Sequence, residues 1–230
     1  MRPRTVRTDV RSPRTLAPMD LDVQPFFQGS LLEVDDSGRL RFGGAPYRLN
    51  LSDGAWVDLA PSWLPGADAL FHRLYTAVPW KAEQRITYER DVAVPRLLCF
   101  YDEDEELPDP VLQAARAYLD HHYAPELGEH FRTAGLCLYR DGSDSVAWHG
   151  DRIGRSSTED TMVAIISLGS PRPLLLRPRQ GGQSRRFLVG HGDLLVMGGS
   201  CQRTWEHAVP KTTRPVGARI SVQFRPRGVR

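Results

Sequence analysis

Apolar residues recur at helical spacing in the first half of the chain, whereas after Gly135 they fall in short alternating runs bounded by turn residues. Between Leu49 and Trp80, the positions of Trp56, Trp63, Leu64, Leu70, Leu74 and Tyr75 predict a loop followed by a helix over 66–78, ended by Pro79. The run from Arg85 to Pro95 predicts a hairpin with its turn near Glu89–Asp91. Val111, Leu112, Ala115, Tyr118 and Leu119 share one helical face, so a helix is expected over 110–124, with Asp109 as cap and Pro110 in its first turn. Beyond Gly135, strands are expected at Leu136–Tyr139, Met162–Leu168, Pro173–Leu176, Arg186–Val189, Leu194–Met197 and Arg219–Arg225, separated by Asp-Gly, Gly-Gly and Pro. Helices followed by antiparallel strands predict an α+β fold built on a double-sheet jelly roll.

Composition narrows the class. A chain of 230 residues with an apolar fraction of 40% suits one compact domain, expected over 21–230. Residues 1–20 carry Arg2, Arg4, Arg7, Arg11 and Arg14 among prolines and few large apolar groups, so they read as a flexible basic tail. Such a tail is either a solvated extension or an arm that attracts nucleic acid. The net charge of +2 neither demands nor excludes a polyanionic partner. Cys99, Cys137 and Cys201 are too few and too scattered for a disulfide framework or a Cys-x-x-Cys zinc site, which points to a reducing cytoplasm. No apolar run approaches the ~18 residues of a membrane span, and no apolar stretch follows the basic start. A soluble, monomeric, cytoplasmic protein is expected, without membrane contact.

The candidate chemistry begins at Trp148-His149-Gly150-Asp151, where the histidine and the carboxylate stand two apart and on an extended backbone share a face. His207 follows Asp151 by 56 positions, far enough to lie on another strand of the same barrel. Two imidazoles and a carboxylate form the facial triad of non-haem Fe(II) oxygenases, which leaves three positions for cosubstrate and dioxygen. A catalytic zinc could use the same ligands. A site for a dicarboxylate would separate the two. His72, His121, His122, His130 and His191 sit at helix or turn positions and are assigned to surface or core roles.

Arg219-Ile220-Ser221-Val222-Gln223-Phe224-Arg225 alternates with period two. Arg219, Ser221, Gln223 and Arg225 therefore share one face, and the other face packs into the core. At roughly 3.3 Å per residue the two guanidiniums start about 20 Å apart along the backbone, and long side chains can converge. Arginine binds carboxylates through two parallel hydrogen bonds and keeps its proton, so two such cations in one lane suit a ligand with two carboxylates.

Several ordered motifs resemble AlkB-type dioxygenases: Tyr139-Arg140-Asp141-Gly142, Trp148-His149-Gly150-Asp151, Ile166-Ser167-Leu168-Gly169, Gly192-Asp193-Leu194-Leu195-Val196-Met197, His207-Ala208-Val209-Pro210-Lys211, and Arg219 with Phe224-Arg225. Upstream, Pro79-Trp80, the hairpin, and Val94-Pro95-Arg96-Leu97 followed by Tyr101 resemble that family's nucleotide-recognition region, so the likeness spans about 78–226. The resemblance implies a double-stranded β-helix core over 135–226, preceded by a substrate-recognition hairpin and helix over 78–134. It implies Fe(II) held by His149, Asp151 and His207. It also implies 2-oxoglutarate held by Tyr139 and Arg219 at its distal carboxylate and by Arg225 near the metal-bound end, with Ser221 and Gln223 on the same lane. Oxidative dealkylation of N-alkylated bases in DNA or RNA would follow, with the base flipped into the pocket. Trp80, Tyr88, Arg96, Tyr101, Trp148 and Arg152 are then the candidate substrate contacts. The chain departs from the family pattern at Cys137, where Asn is frequent, at Ser221 and Gln223, in Arg152-Ile153-Gly154 after the metal motif, and in the acidic run Asp102–Glu106. These departures leave open a hydroxylase of another substrate, such as a small molecule, a modified tRNA base or a protein side chain. A catalytically silent nucleic-acid-binding relative is disfavoured by the complete metal and arginine sets.

Arg172, Arg177, Arg179, Arg185 and Arg186 lie in a stretch without acidic residues, followed by Arg203, Lys211, Arg214 and Arg227. On one rim they would contact phosphates, which position a polymer without reading its sequence.

Overall fold

The computed structural model describes residues 40–87, 90–151 and 154–229, with side chains throughout except over 84–93. The expected basic tail, the hairpin turn, Tyr88, Arg152 and Ile153 lie outside the described residues or side chains. In chain order the elements are β1 (Tyr47–Asn50), β2 (Ala55–Ala60), α1 (Ala67–Ala77), β3 (Lys81–Thr87), β4 (Arg90–Tyr101), α2 (Pro110–Leu127), β5 (Phe131–Tyr139) and β6 (Val146–His149). They continue with β7 (Val163–Gly169), β8 (Arg172–Pro178), β9 (Arg185–Val189), β10 (Leu194–Gly199), the single turn α3 (Cys201–Thr204), β11 (Trp205–Val209) and β12 (Arg219–Pro226). The strands form two sheets, an eight-stranded one in the order β1-β2-β10-β7-β12-β5-β4-β3 and a four-stranded one in the order β6-β11-β8-β9. Neighbouring strands run antiparallel, giving the double-sheet jelly roll that the sequence pattern predicts.

Local chemistry explains the helix ends. Asp109 caps α2 by accepting a hydrogen bond from the Val111 backbone N–H at 2.9 Å, Pro110 fills the first turn, and Gly128 closes the helix in the left-handed region at φ 76°. α1 ends where Val78 donates to the Leu74 carbonyl, one residue before Pro79. The segment before α1 corrects the sequence-based expectation of a loop, because Tyr47–Asn50 and Ala55–Ala60 are strands. β2 lies between β1 and β10 and is buried on both faces, so its residues Ala-Trp-Val-Asp-Leu-Ala show no polar alternation.

Strand parity divides the interior into two cores. On one face of the large sheet Ala134, Leu136, Leu138, Ala164, Ile166, Leu168, Ile220, Val222 and Phe224 pack against Leu70 and Leu74 of α1 and Leu112, Leu119 and Tyr123 of α2. On the opposite face Cys137, Tyr139, Val163, Ile165, Leu195 and Met197 meet Leu174, Leu176, Trp205 and Val209 of the small sheet. The open part of this second layer is a cavity of about 720 Å³. Cys99, Cys137 and Cys201 are unpaired, and no helix among the described residues is long and apolar enough to cross a membrane.

Candidate metal centre

β6 and β11 are antiparallel neighbours, and their register places His149 directly opposite His207. That pairing brings together residues 58 positions apart, with their rings 4.2 Å from centre to centre. Asp151 joins them two residues beyond β6, and one ligand atom from each of the three lies within 4.8 Å of the others. The His149 Nδ1 is 2.8 Å from the Ala147 carbonyl. A carbonyl only accepts, so Nδ1 carries a proton, and Nε2, 3.8 Å from Asp151 Oδ1, is the ring nitrogen that faces the carboxylate.

The charge state of the cluster suits a cation. Burial pushes the His207 imidazole down to about 3, with the neighbouring His149 acting in the same direction, so its ring is neutral. Burial alone would raise the Asp151 carboxyl. Arg225 and the two imidazoles outweigh it and hold the group well below the usual carboxylate range. Arg225 Nε donates to Asp151 Oδ2 at 2.8 Å, while Oδ1 faces His149. The Asp151 backbone is fixed as well: its N–H donates to Gln202 Oε1 at 3.2 Å, and its carbonyl accepts from the Ser156 hydroxyl. Gln202 and Ser156 carry no sequence motif that would have marked them.

β12 lies in the middle of the large sheet, between β5 and β7, and its polar face lines the cavity as the alternation predicts. At one end Arg219 is buried and its Nε donates to Ser167 Oγ at 2.9 Å, while its Nη1 is buried without a hydrogen-bond partner. The Arg219 guanidinium carbon is 5.3 Å from the centre of the Tyr139 ring. Burial pushes the Tyr139 phenol up to about 12, so it stays a neutral donor. Ser221 accepts from Gln223 Nε2 at 3.1 Å, and the same nitrogen is 3.5 Å from Cys137 Sγ. Gln223 Oε1 accepts from Arg225 Nη2 at 2.9 Å, which links the lane to the metal end.

The candidate substrate contacts separate by strand parity. Arg96 and Trp148 line the cavity. Arg96 donates from Nη1 to the Ser145 carbonyl at 3.2 Å. Trp80 and Tyr101 lie outside its lining: Trp80 packs on the helix-side core with its indole N–H on the Tyr75 carbonyl, and Tyr101 joins Leu97 and Cys99 on that side. On β4 the aromatic residue in the lining is Phe100, which shares the parity of Arg96 and Leu98.

The expected basic rim is also redistributed. Arg172 is buried, not on the rim. Its place follows from parity, since Arg172, Leu174 and Leu176 alternate on the inner face of β8. Arg177 and Arg179 share Glu206 at 2.8 and 3.3 Å, and Arg177 covers the Trp148 ring at 4.3 Å. Arg203 pairs with Asp160, and Arg227 with Glu103 of the acidic run. Arg185, Arg186, Lys211 and Arg214 are exposed.

Comparison with known proteins agrees with this geometry. The profile of the 2OG-Fe(II) oxygenase superfamily matches residues 101–225. The chain is 30% identical over 190 residues to the bovine (Bos taurus) "Alpha-ketoglutarate-dependent dioxygenase alkB homolog 3", covering 74% of this chain and 65% of that protein. It is 32% identical over 132 residues to "DNA oxidative demethylase ALKBH2" of Arabidopsis thaliana, covering 46% of this chain and 41% of that protein. The chain therefore spans under two thirds of the length of these relatives. The solved structure of OsALKBH1 superposes with a TM-score of 0.54 at 13% identity, covering 77% of this chain and all of that one, and so shares the fold.

Proposed function

From a chain that belongs to the 2OG-Fe(II) oxygenase superfamily and is AlkB-like in sequence, we propose an enzyme that uses Fe(II), 2-oxoglutarate and dioxygen to dealkylate N-alkylated nucleobases in DNA or RNA. The observation that carries this reading is one cavity holding both a His149/Asp151/His207 cluster and, on the large sheet, Arg219 with a buried, unpartnered Nη1. Zinc hydrolysis needs only the first feature, whereas a dicarboxylate cosubstrate needs both.

The donor set fits Fe(II): two imidazoles, that of His207 kept neutral by burial, and one carboxylate held by Arg225. Bound there, iron would supply the activation of dioxygen and the oxidation of a substrate C–H bond. Arg219 and the Tyr139 hydroxyl hold the distal carboxylate of 2-oxoglutarate, and Ser167 orients the Arg219 fork through Nε. Arg225 fixes which Asp151 oxygen faces the histidines. The apolar walls, among them Val163, Ile165, Leu174 and Met197, exclude water from the reacting atoms. Arg96, Phe100 and Trp148 line the cavity and receive the flipped base. The β3–β4 hairpin and α2 belong to a recognition segment over 78–134. A hydroxylated N-alkyl carbon is a hemiaminal and separates into aldehyde and free base. The names of the relatives, a demethylase of DNA among them, support the nucleic-acid class.

A second reading, a 2-oxoglutarate-dependent hydroxylase of a small molecule, is favoured by one observation: Arg172 is buried and Glu206 pairs with Arg177 and Arg179, which thins the cationic rim. A panel of N-methylated oligonucleotides, with succinate and repaired base measured together, tests the two. Succinate coupled to demethylated oligonucleotide is expected. Succinate formed at the same rate with and without every oligonucleotide, and no repaired base, would reject the nucleic-acid reading.

A further inference from the structure

Arg172 opens β8 with 1% of its surface exposed. Its Nη1 donates to the Asp141 carbonyl at 2.9 Å, and its Nη2 to the carbonyls of Asp144 and Pro210 at 2.9 and 2.7 Å. The Asp144 carboxylate is engaged elsewhere, by the backbone N–H and guanidinium of Arg140. Burying a guanidinium on carbonyl dipoles is costly, and an apolar residue continuing the Leu174 and Leu176 face would avoid that cost. The charge therefore has a use at this place.

Two observations indicate the use. Arg172 bonds the backbone two residues after Tyr139 and three after His207, so it ties the β5–β6 and β11–β12 connections together where both leave the cavity. Its guanidinium carbon lies 5.7 Å from the centre of the Tyr139 ring, which also has Arg219 at 5.3 Å. Burial disfavours the charge of both arginines, and Arg172 further disfavours that of Arg219, so an anion beside Tyr139, in reach of both charges, is stabilised by both at once.

We infer that Arg172 is a positioning residue for the distal carboxylate of the cosubstrate: it fixes the chain that follows Tyr139 and places a second buried cation behind the ring, without touching the ligand. The inference rests on the 2-oxoglutarate placement proposed above.

The test uses the full chain loaded with Mn(II), which gives a binding readout without turnover. Calorimetric Kd values are compared for 2-oxoglutarate and for 2-oxobutanoate, which has the same 2-oxo acid head and no distal carboxylate. Arg172→Met should weaken 2-oxoglutarate about tenfold and change 2-oxobutanoate less than twofold, and Arg172→Lys should recover more than half of the loss on a logarithmic scale. Arg172→Gln keeps donors for the carbonyls and removes the charge, so it serves the same comparison if the Met variant does not fold. Equal weakening of both acids would reduce Arg172 to a structural clamp, and unchanged binding of both would remove it from the site; either overturns the inference. A wild-type protein that binds 2-oxoglutarate no better than 2-oxobutanoate would reject the cosubstrate placement itself, and the inference with it.

Discussion

The arginines on the inner face of the cavity and those on the outer face of the small sheet are held by different means. Arg219 and Arg225 are on a central strand, and fixed partners, Ser167, Asp151 and Gln223, hold them while Arg219 Nη1 stays free of any. Arg177 and Arg179 share one partly exposed carboxylate, Glu206, and Arg185 and Arg186 extend into solvent. Exposed ion pairs of the second kind contribute about 0–1 kcal/mol. A buried charge that loses its partner costs several times more, at about 3–5 kcal/mol. The difference teaches that a basic run in sequence is not a basic patch in space. Glu206 lies opposite Arg177 in the β8–β11 register, and no local pattern in the arginine run announces it.

The comparison breaks most sharply at the metal end. Asp151→Ala removes the only anionic group of the cluster and should lower turnover by about a hundredfold or more. Full activity in that variant would exclude the assigned triad. Next in size, Arg225→Met leaves the buried Asp151 carboxylate without its cation and should cost the metal-free protein about 3 kcal/mol in urea unfolding. Added Mn(II) should restore part of it, because a divalent ion supplies the missing positive charge. If stability were the same with and without the metal, Asp151 would not face a cation site.

At the other end of the lane, Arg219→Lys replaces a planar fork by a point charge and should weaken 2-oxoglutarate by about 1–3 kcal/mol, on the order of tenfold in KM. An unaltered KM would place the distal carboxylate elsewhere. The smallest effect belongs to the outer face. Neutralising Arg185 and Arg186 to Gln should weaken oligonucleotide binding a few-fold and flatten the log–log salt dependence by about one unit per lost phosphate contact, leaving 2-oxoglutarate binding intact. Loss of cosubstrate binding in that double variant would erase the distinction between the two sets.

Parity explains most of what was legible beforehand. Seven residues of β12 sufficed to sort Arg219, Ser221, Gln223 and Arg225 from Ile220, Val222 and Phe224, because each strand face meets a different environment. Asp109-Pro110 marked the start of α2 for an equally local reason, since a cap is satisfied within its own first turn. The same parity, applied one residue earlier on β8 or along β4, would have moved Arg172 inward and chosen Phe100 over Tyr101. β2 was not legible, because a strand covered on both faces has no polar alternation to show, and β1 is a four-residue exposed edge strand too short to carry a pattern.

By itself, then, the sequence determined the helix starts, the alternation of the strands, and the residue types of the His149/Asp151/His207 cluster and of the polar face of β12, all of which depend on neighbours a few positions away. The tertiary structure alone decided that His149 stands opposite His207, that Arg225 takes one oxygen of Asp151, that Glu206 quenches part of the arginine run, and that Arg172 knots two connections beneath Tyr139. These are contacts between strands far apart in the chain. Their partners are chosen by register and sheet packing, which the order of residues within any one segment does not specify.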